Sequence, residues 1–282
     1  MTRSGPPEGP LPWGSMSRAE RNAAYDNVGA VPGSRDWMAG LRARSAAFRA
    51  HHAATTRDVV WGCTPRQRWN LYPASSPDAP CLVFIHGGYW QWNDPEHFAC
   101  LAEGVAALGW SVAMPGHTLA PAASLRVIVA EIDTALDWLA THGPAHGIAG
   151  PCVVSGWSAG GTLATLALDH PHIVAGLALS GIYELGPLRD TTLNDALALD
   201  DAEIQTLSAL RRPPSPKPLA IAYGTRELPA LCHDSRNLHG LRAATHAPGL
   251  LAPVAGAEHF SILNALGTPG GELARVASLL AG

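Results

Sequence analysis

Residues Gly156-Trp157-Ser158-Ala159-Gly160 decide the fold, because they place the pattern G-x-S-x-G in a specific local context. The apolar run 151–154 precedes them, as a buried strand would, and the helical pattern 162–168 follows them. Glycine tolerates the close packing of a sharp turn between strand and helix, where a larger side chain would clash. The stretch therefore predicts a strand–turn–helix unit that exposes the Ser158 hydroxyl as a nucleophile.

After about residue 58 the chain alternates between short apolar runs and helix-like patterns. Residues 81–85 are apolar throughout, which is typical of a strand buried on both faces, and residues 98–108 and 125–139 have helical patterns. This alternation predicts an α/β fold with a mostly parallel central sheet covered by helices on both faces. About eight strands are predicted, at residues 58–61, 68–72, 81–85, 110–114, 151–154, 177–180, 219–223 and 250–254.

The two ends of the domain are less regular. Residues 1–16 are rich in proline and glycine and have no apolar signal-peptide core, so we expect a flexible N-terminal tail, with Met16 as an alternative start. Residues 17–282 are predicted to form a single α/β domain, which begins with two helical stretches in residues 17–55. The polar segment 184–214 is predicted to be a cap or lid over the catalytic loops, with an ordinary surface excursion as the alternative.

Composition excludes several classes of protein. The 282 residues carry a net charge of −4, and only 15% of them are charged, so no basic stripe indicates nucleic-acid binding. No uncharged apolar run approaches the ~18 residues that a membrane span needs. Five cysteines, an odd number without a C-x-x-C pair, indicate reduced thiols and a cytoplasmic protein.

A nucleophilic serine needs a base to accept its proton, and three histidines beyond residue 235 are candidates: His239, His246 and His259. His259 follows the last predicted strand and precedes a helical stretch. A histidine at such a junction can reach across the edge of the sheet where the catalytic loops gather. We therefore assign His259 as the catalytic base.

In hydrolases whose nucleophilic serine lies on a G-x-S-x-G turn between a strand and a helix, the carboxylate that orients the base lies between the serine and the histidine along the chain. Glu227 follows the strand predicted at 219–223, and Asp234, seven residues further on, is the alternative. Glu258 is adjacent to His259, so its side chain is expected to point away from the imidazole. We assign Glu227 as the acid and keep Asp234 as its rival.

A second motif, His86-Gly87-Gly88-Tyr89-Trp90, directly follows the strand predicted at 81–85. Acyl transfer develops negative charge on the carbonyl oxygen, and backbone N–H groups must be in place to stabilise it. Glycines allow the backbone to approach that oxygen closely. We expect the N–H groups of Gly88, Tyr89 and Ala159 to form an oxyanion hole, with Gly87 as a further donor, and His86 to hold the loop by hydrogen bonds.

These motifs together resemble the α/β-hydrolase superfamily, and His-Gly-Gly-Tyr-Trp resembles its kynurenine formamidase group. Residues 116–121 and 180–185 are also similar to segments of that group. The resemblance implies the α/β-hydrolase fold and the hydrolysis of aryl formamides, esters and related acyl compounds without a cofactor. This sequence departs from the pattern at His117, where tyrosine is usual, at Ala122, where an acid is common, and at Glu227, where aspartate is more usual.

The leaving group of an aryl formamide is flat and apolar, so its pocket needs an aromatic wall. Five aromatic residues near the motifs could form this wall: Tyr89, Trp90, Trp92, Trp157 and Tyr183. The last four are assigned to substrate binding, with ordinary packing around the loops as the alternative. An amino-acid head on the substrate would need charged partners, for which Arg189 and Arg226 are candidates. The expected partner is thus a small, aromatic acyl substrate rather than nucleic acid or a membrane, and a homodimer is left open.

Two other functions compete with an arylformamidase. A carboxylesterase acting on small aryl or alkyl esters would use the same residues, and a catalytically silent binding protein could share the fold. A metallohydrolase is not expected, because the chain has no H-E-x-x-H motif and the adjacent His51 and His52 cannot both face one metal from a helix. We therefore predict no metal and no cofactor.

Overall fold

The central sheet is built from strands that are buried on both faces. The computed structural model describes residues 13–53 and 57–281. Within strand β3, alternate side chains enter different cores: Val83 and Ile85 pack on one side of the sheet, and Leu82 and Phe84 on the other. Successive strand residues point to opposite faces, so an unbroken apolar run is satisfied only when helices cover both.

Eight strands form one sheet in the order β1-β2-β4-β3-β5-β6-β7-β8. Strand β2 pairs antiparallel with both β1 and β4, and every other neighbouring pair is parallel. This confirms the predicted mostly parallel sheet. The strands are β1 (Arg57–Val60), β2 (Arg68–Tyr72), β3 (Cys81–Ile85), β4 (Ser111–Pro115), β5 (Cys152–Trp157), β6 (Ile173–Leu179), β7 (Leu219–Gly224) and β8 (Gly249–Val254).

Helices cover both faces of this sheet, as predicted. Helices α5, α6 and α9 bury side chains such as Ile132 and Leu163 on one face, while α3, α4, α10 and α11 bury side chains such as Leu41 and Leu273 on the other. The helices are α1 (Arg18–Tyr25), α2 (Asn27–Ala30), α3 (Ser34–His51), α4 (Ala102–Ala106), α5 (Leu125–His142), α6 (Ala159–Leu166), α7 (Asn194–Leu197), α8 (Asp201–Leu207), α9 (Pro229–Ala244), α10 (Ile262–Gly267) and α11 (Glu272–Leu280).

The helical pattern predicted over residues 98–108 is only partly an α-helix. A 3-10 helix spans Pro95–Leu101, and α4 continues from it for one turn and a half. 3-10 turns are frequent at the N-terminus of an α-helix, and here the side chains from Phe98 to Leu101 are all buried. In the described part of the chain, no helix is long and apolar enough to span a bilayer.

The N-terminal region contacts the rest of the domain from Trp13 onward, earlier in the chain than predicted. Trp13–Ser15 form a short 3-10 turn, and the Trp13 ring stacks on Tyr25 with their centroids 5.6 Å apart. Ser17 and Glu20 then form a reciprocal capping box that begins α1. The predicted tail of residues 1–16 therefore does not extend to Trp13, and residues 1–12 lie outside the described residues.

The segment 184–214 folds as short helical turns, which include α7 and α8. It is joined to the N-terminal helix α1 by two ion pairs, Arg18–Asp195 at 2.7 Å and Arg21–Asp190. Asp234 Oδ2, on α9, accepts hydrogen bonds from the backbone N–H groups of Tyr183 (2.7 Å), just before the segment, and of Glu184 (3.0 Å), its first residue. The segment is thus fixed to the domain at both sides rather than projecting from it.

Candidate active site

Ser158 stands between β5 and α6 in a conformation that few non-glycine residues adopt. Its φ is 57° and its ψ is −123°, and such backbone costs roughly 1–3 kcal/mol, which the surrounding structure must offset. Gly160 makes the turn possible, because a Cβ on it would lie 2.1 Å from the Ile85 carbonyl oxygen. The Ser158 N–H donates to Leu179 O at 2.8 Å. The elbow therefore has its predicted form, with the Ser158 hydroxyl above the end of the sheet.

His259 reaches Ser158 from the loop between β8 and α10. Its Nε2 lies 3.1 Å from Ser158 Oγ. The indole Nε1 of Trp157 donates to the His259 carbonyl oxygen at 2.7 Å, and the two rings lie 4.9 Å apart. Trp157, the residue before the nucleophile, thus contacts both the backbone and the imidazole ring of His259. Of the three histidines considered, His259 is the one that lies at hydrogen-bonding distance from the serine.

Glu227 lies on the other side of the imidazole, where its Oε2 is 3.0 Å from His259 Nδ1. Its Oε1 accepts hydrogen bonds from Ser180 Oγ and from the Gly224 N–H, both at 2.6 Å. Glu227 can therefore accept a hydrogen bond from His259 Nδ1–H, which fixes the tautomer whose Nε2 is free to accept the Ser158 proton. The extra methylene of glutamate is accommodated because these two donors fix its carboxylate.

Asp234, the alternative candidate for the catalytic acid, binds backbone N–H groups instead of His259. It is buried on α9, where its Oδ2 accepts hydrogen bonds from the N–H groups of Tyr183 (2.7 Å) and Glu184 (3.0 Å). Burial raises the pKa of Asp234 to about 7, although these two hydrogen bonds oppose the shift. Asp234 thus holds the chain after β6, and Glu227 is the carboxylate that contacts His259.

The loop after β3 lies directly against the nucleophile. A Cβ on Gly87 would come within 2.6 Å of Trp157 O and 3.0 Å of Ser158 Cβ, so only glycine permits this approach. Gly88, Tyr89 and Trp90 all have positive φ, at 123°, 50° and 58°. Such a run turns successive N–H groups toward one side of the chain.

The four predicted oxyanion donors keep their N–H groups unused. Within residues 13–53 and 57–281, no protein acceptor receives a hydrogen bond from the backbone N–H of Gly87, Gly88, Tyr89 or Ala159. An unpaired N–H costs free energy unless water or a ligand accepts from it. These donors are therefore available to an oxyanion formed at Ser158.

His86 supports this loop from behind. Its Nδ1 lies 3.0 Å from Gly87 O, and its ring stacks on His117 with the centroids 4.6 Å apart. Burial lowers the pKa of His86 to about 4 and that of His117 to about 3, so both are neutral near pH 7. In the described part of the chain, no group of three His, Cys, Asp or Glu side chains is placed to hold a metal ion.

The structure corrects two of the four predicted aromatic contacts. Trp92 and Trp157 line the cavity above Ser158. Trp90 is 1% exposed and Tyr183 is fully buried, and both belong to the core on one face of the sheet. The positive φ of Trp90 directs its side chain inward, beneath the loop whose backbone faces the nucleophile. The position of Trp90 in the sequence does not show that its side chain points into the core.

The catalytic cavity, of about 400 Å³, is covered by the N-terminal helices and not by the segment 184–214. Arg35, Met38 and Arg42 recur at i, i+3 and i+7 on α3, a helical spacing that is visible in the sequence but does not by itself indicate a binding site. Arg189 lies on the surface beside Asp201 instead. The lining residues are Asn27, Val28, Ser34, Arg35, Met38, Arg42, Gly88, Tyr89, Trp92, Asn93, Trp157, Ser158, His259 and Phe260.

Tyr89 joins the loop to this helical cover. Its hydroxyl donates to the Tyr25 carbonyl oxygen and accepts a hydrogen bond from Asn27 Nδ2 at 2.8 Å. Gln91 Nε2 also donates to Leu193 O, at 3.1 Å, in the segment 184–214. The position of the loop therefore depends on contacts with both segments.

We expect Trp90→Ala to lower kcat by about a hundredfold, because a loop displaced by ~1 Å places its N–H groups wrongly in the transition state. Loss of a buried tryptophan also destabilises the fold by about 3–5 kcal/mol. Steady-state kinetics below the melting temperature separate the two effects. A change in KM alone would show that Trp90 does not position the loop.

Trp90→Phe and Trp138→Ala are the controls for this experiment. Trp90 Nε1 has no hydrogen-bond partner among the described residues, so phenylalanine keeps most of the packing at little cost and should retain most of the kcat. Trp138 is a half-buried tryptophan on α5 that stacks on His142 away from the site. Its loss should lower stability without changing kcat.

Comparisons with known proteins agree with this architecture. A family model described as BD-FAE matches residues 70–170. A kynurenine formamidase from Danio rerio is 24% identical over 277 residues, which cover 90% of this chain and 93% of that protein. A kynurenine formamidase from Salmo salar is 25% identical over 234 residues, which cover 76% of this chain and 78% of that protein.

Solved structures give the same result for the fold. A protein from a Silicibacter species, described as a "putative thioesterase", superposes with a TM-score of 0.82 at 27% identity, covering 92% of this chain and 99% of that one. Esterase B from Lactobacillus rhamnosis superposes with a TM-score of 0.66 at 19% identity, covering 88% and 95%. The chain is a hydrolase of the α/β-hydrolase fold, and it resembles the kynurenine formamidases.

Proposed function

We propose that this protein is a cofactor-free serine hydrolase that cleaves a small acyl group from an aryl amide, as an arylformamidase does. One observation carries the proposal: Glu227, His259 and Ser158 form a continuous hydrogen-bonded line that ends beside unused backbone N–H groups. A nucleophile, a base, an orienting carboxylate and oxyanion donors are the parts that acyl transfer needs.

The reaction proceeds in two halves. Ser158 Oγ attacks the carbonyl carbon while His259 Nε2 accepts the hydroxyl proton, and the N–H groups of Gly88, Tyr89 and Ala159 stabilise the oxyanion. His259 then donates that proton to the leaving amine, and the acyl–serine ester remains. Water then attacks this ester while His259 accepts its proton, and as the second oxyanion collapses His259 returns that proton to Ser158 Oγ, which releases the acid and restores the enzyme.

An aromatic leaving group is supported by the wall beside His259. Trp157 and Phe260 line the cavity with their ring centroids 5.9 Å apart, and Met38 lines it from α3. Because His259 donates the proton to the leaving group, that group must lie close to these side chains. A planar ring fills such a site with favourable contact to aromatic and thioether groups.

A carboxylesterase for small aryl or alkyl esters is the second candidate. The size of the cavity favours it, since about 400 Å³ holds more than an aryl group and a one-carbon acyl group. A catalytically silent binding protein would not need the three side chains to lie in hydrogen-bonding contact. Labelling of wild type, but not of Ser158→Ala, by a fluorophosphonate probe would count against that third function.

A panel of matched substrates tests the assignment. N-formylkynurenine, formanilide, phenyl formate and phenyl acetate share the same carbonyl chemistry but differ in leaving atom, acyl size and charge. The proposal expects hydrolysis of the formamides with kcat/KM at least comparable to that of the esters. Turnover of esters alone would favour the carboxylesterase, and turnover of neither would contradict both.

Two arginines favour a substrate with an acidic group. Arg35 and Arg42 line the catalytic cavity, and no acidic residue among the described residues lines it with them. Arg42 Nη2 donates to Asn93 Oδ1 at 3.0 Å, whereas Arg35 makes no ion pair within the described part of the chain. A carboxylate on the substrate would supply the missing partner of Arg35.

We therefore expect Arg35→Gln to raise KM for N-formylkynurenine about five- to tenfold, which is the loss of an exposed charge-assisted contact of about 1 kcal/mol. The KM for formanilide, which has no carboxylate, should stay within about twofold of wild type. Arg189→Gln, a surface arginine paired with Asp201, is the control. Equal changes for both substrates would contradict a role of Arg35 in carboxylate binding.

The compartment and assembly are part of the same proposal. All five cysteines are free, and four of them are buried, which supports a reducing compartment such as the cytoplasm. We propose that the enzyme acts on small molecules rather than on nucleic acids or membranes. Its assembly as a homodimer is a further proposal, which light scattering on the purified protein tests.

A further inference from the structure

A second cavity, of about 380 Å³, adjoins the catalytic one. It lies between the N-terminal helices and the segment 184–214. Four residues line both cavities: Asn27, Val28, Tyr89 and Trp92. The remaining residues of the second cavity are Asn22, Ala23, Tyr25, Asp26, Thr192 and Leu193.

The boundary between the cavities has a fixed part and an open part. Asn27 and Tyr89 are joined by a hydrogen bond of 2.8 Å and hold the loop to the helices. Val28 and Trp92 are apolar but 45% and 52% exposed, which is unusual beside a binding cavity. The Trp92 indole makes no hydrogen bond within residues 13–53 and 57–281, and it packs edge-on against Tyr89 with the ring centroids 6.2 Å apart. An apolar group that crossed this boundary would cover both side chains.

The boundary lies on the acyl side of the scissile bond. The leaving group must lie near His259, and His259, Phe260 and Trp157 line only the catalytic cavity. The substituent on the other side of the carbonyl carbon therefore points away from that wall. Arg35, Met38 and Arg42 line the cavity from α3, whereas Tyr89 and Trp92 form the side that adjoins the second cavity.

We propose that the second cavity is a distal acyl subsite, which takes an apolar acyl chain or an arylacyl group that crosses Val28 and Trp92. This rests on the proposed serine hydrolase and widens its substrate class beyond formyl groups. Charge limits the occupant further: Asp26 is the charged residue among the described ones that line this cavity, so a neutral chain is accepted and an anionic one is disfavoured.

Chain-length profiles with 4-nitrophenyl formate, acetate, butyrate and hexanoate test the subsite. Each methylene that leaves water strengthens binding about fourfold, so kcat/KM for the hexanoate should exceed that for the acetate about tenfold or more even if only two of its four additional methylenes enter the subsite. Ala23→Trp and Thr192→Phe fill the second cavity from its two sides, at exposed positions that do not line the catalytic one. Each should remove most of the preference for the hexanoate and leave acetate turnover within about twofold.

Ala202→Trp, at an exposed position on α8, is the matched control and should keep the wild-type profile. A hexanoate rate at or below the acetate rate in wild type would overturn the subsite, as would a preference that both filled variants retain. These results would leave the proposed function intact, because the formate and acetate would still be hydrolysed. Absence of turnover on every ester and formamide would instead contradict the hydrolase itself.

Discussion

Ser158→Ala is expected to lower kcat/KM by at least about a thousandfold for formamides and esters alike, because no other group replaces the attacking oxygen. The remaining activity should be close to what the oxyanion donors and binding supply without a nucleophile. Alanine keeps the strained backbone of the elbow and removes one buried hydrogen bond to His259, whose imidazole keeps its contact with Glu227. We therefore expect the melting temperature to stay within a few degrees of wild type.

Three measurements test this prediction. Steady-state rates on formanilide and phenyl acetate report the loss, circular dichroism reports the fold, and a fluorophosphonate probe reports the nucleophile directly. Ser278→Ala, an exposed serine on α11, controls for the loss of a hydroxyl and should be fully active. A Ser158→Ala protein with activity within tenfold of wild type would remove Ser158 from the mechanism.

Glu227→Ala is expected to lower kcat by about a thousand- to ten-thousandfold, since His259 would lose the group that fixes its tautomer and stabilises the imidazolium. Glu227→Asp should recover part of this loss, limited by a side chain one methylene too short to span the 3.0 Å contact without movement. Glu227→Gln should remain poor, because an amide does not stabilise the positive charge that forms on His259.

Asp234→Ala gives the contrast. It leaves the N–H groups of Tyr183 and Glu184 unpaired, so stability should fall by about 1–3 kcal/mol while kcat changes little. Thermal melts and kinetics on the same preparations separate the two variants. Equal losses of kcat, or a larger loss from Asp234→Ala, would give the role of the acid to Asp234.

Local pattern determined the scaffold and the three reactive side chains. The apolar runs could be buried only as strands covered on both faces, and G-x-S-x-G could be placed only at a sharp turn between strand and helix. Glu227 and His259 followed from chain order, because in a parallel sheet the loops after successive strands meet at one edge. Each of these two side chains lies only a few residues after the end of its strand, so the sequence strongly constrains where it can reach.

Tertiary structure alone decided which residues surround the substrate. The direction of Trp90 depends on a positive φ in a loop, and that of Tyr183 depends on how the chain leaves β6, so neighbouring motifs did not predict their burial. The cover over Ser158 comes from α2 and α3, more than a hundred residues earlier in the chain. The Tyr89 hydroxyl holds the start of this cover, because it donates to the Tyr25 carbonyl oxygen and accepts from Asn27 Nδ2. Strand and turn patterns are short-range, whereas the pocket depends on contacts between distant segments.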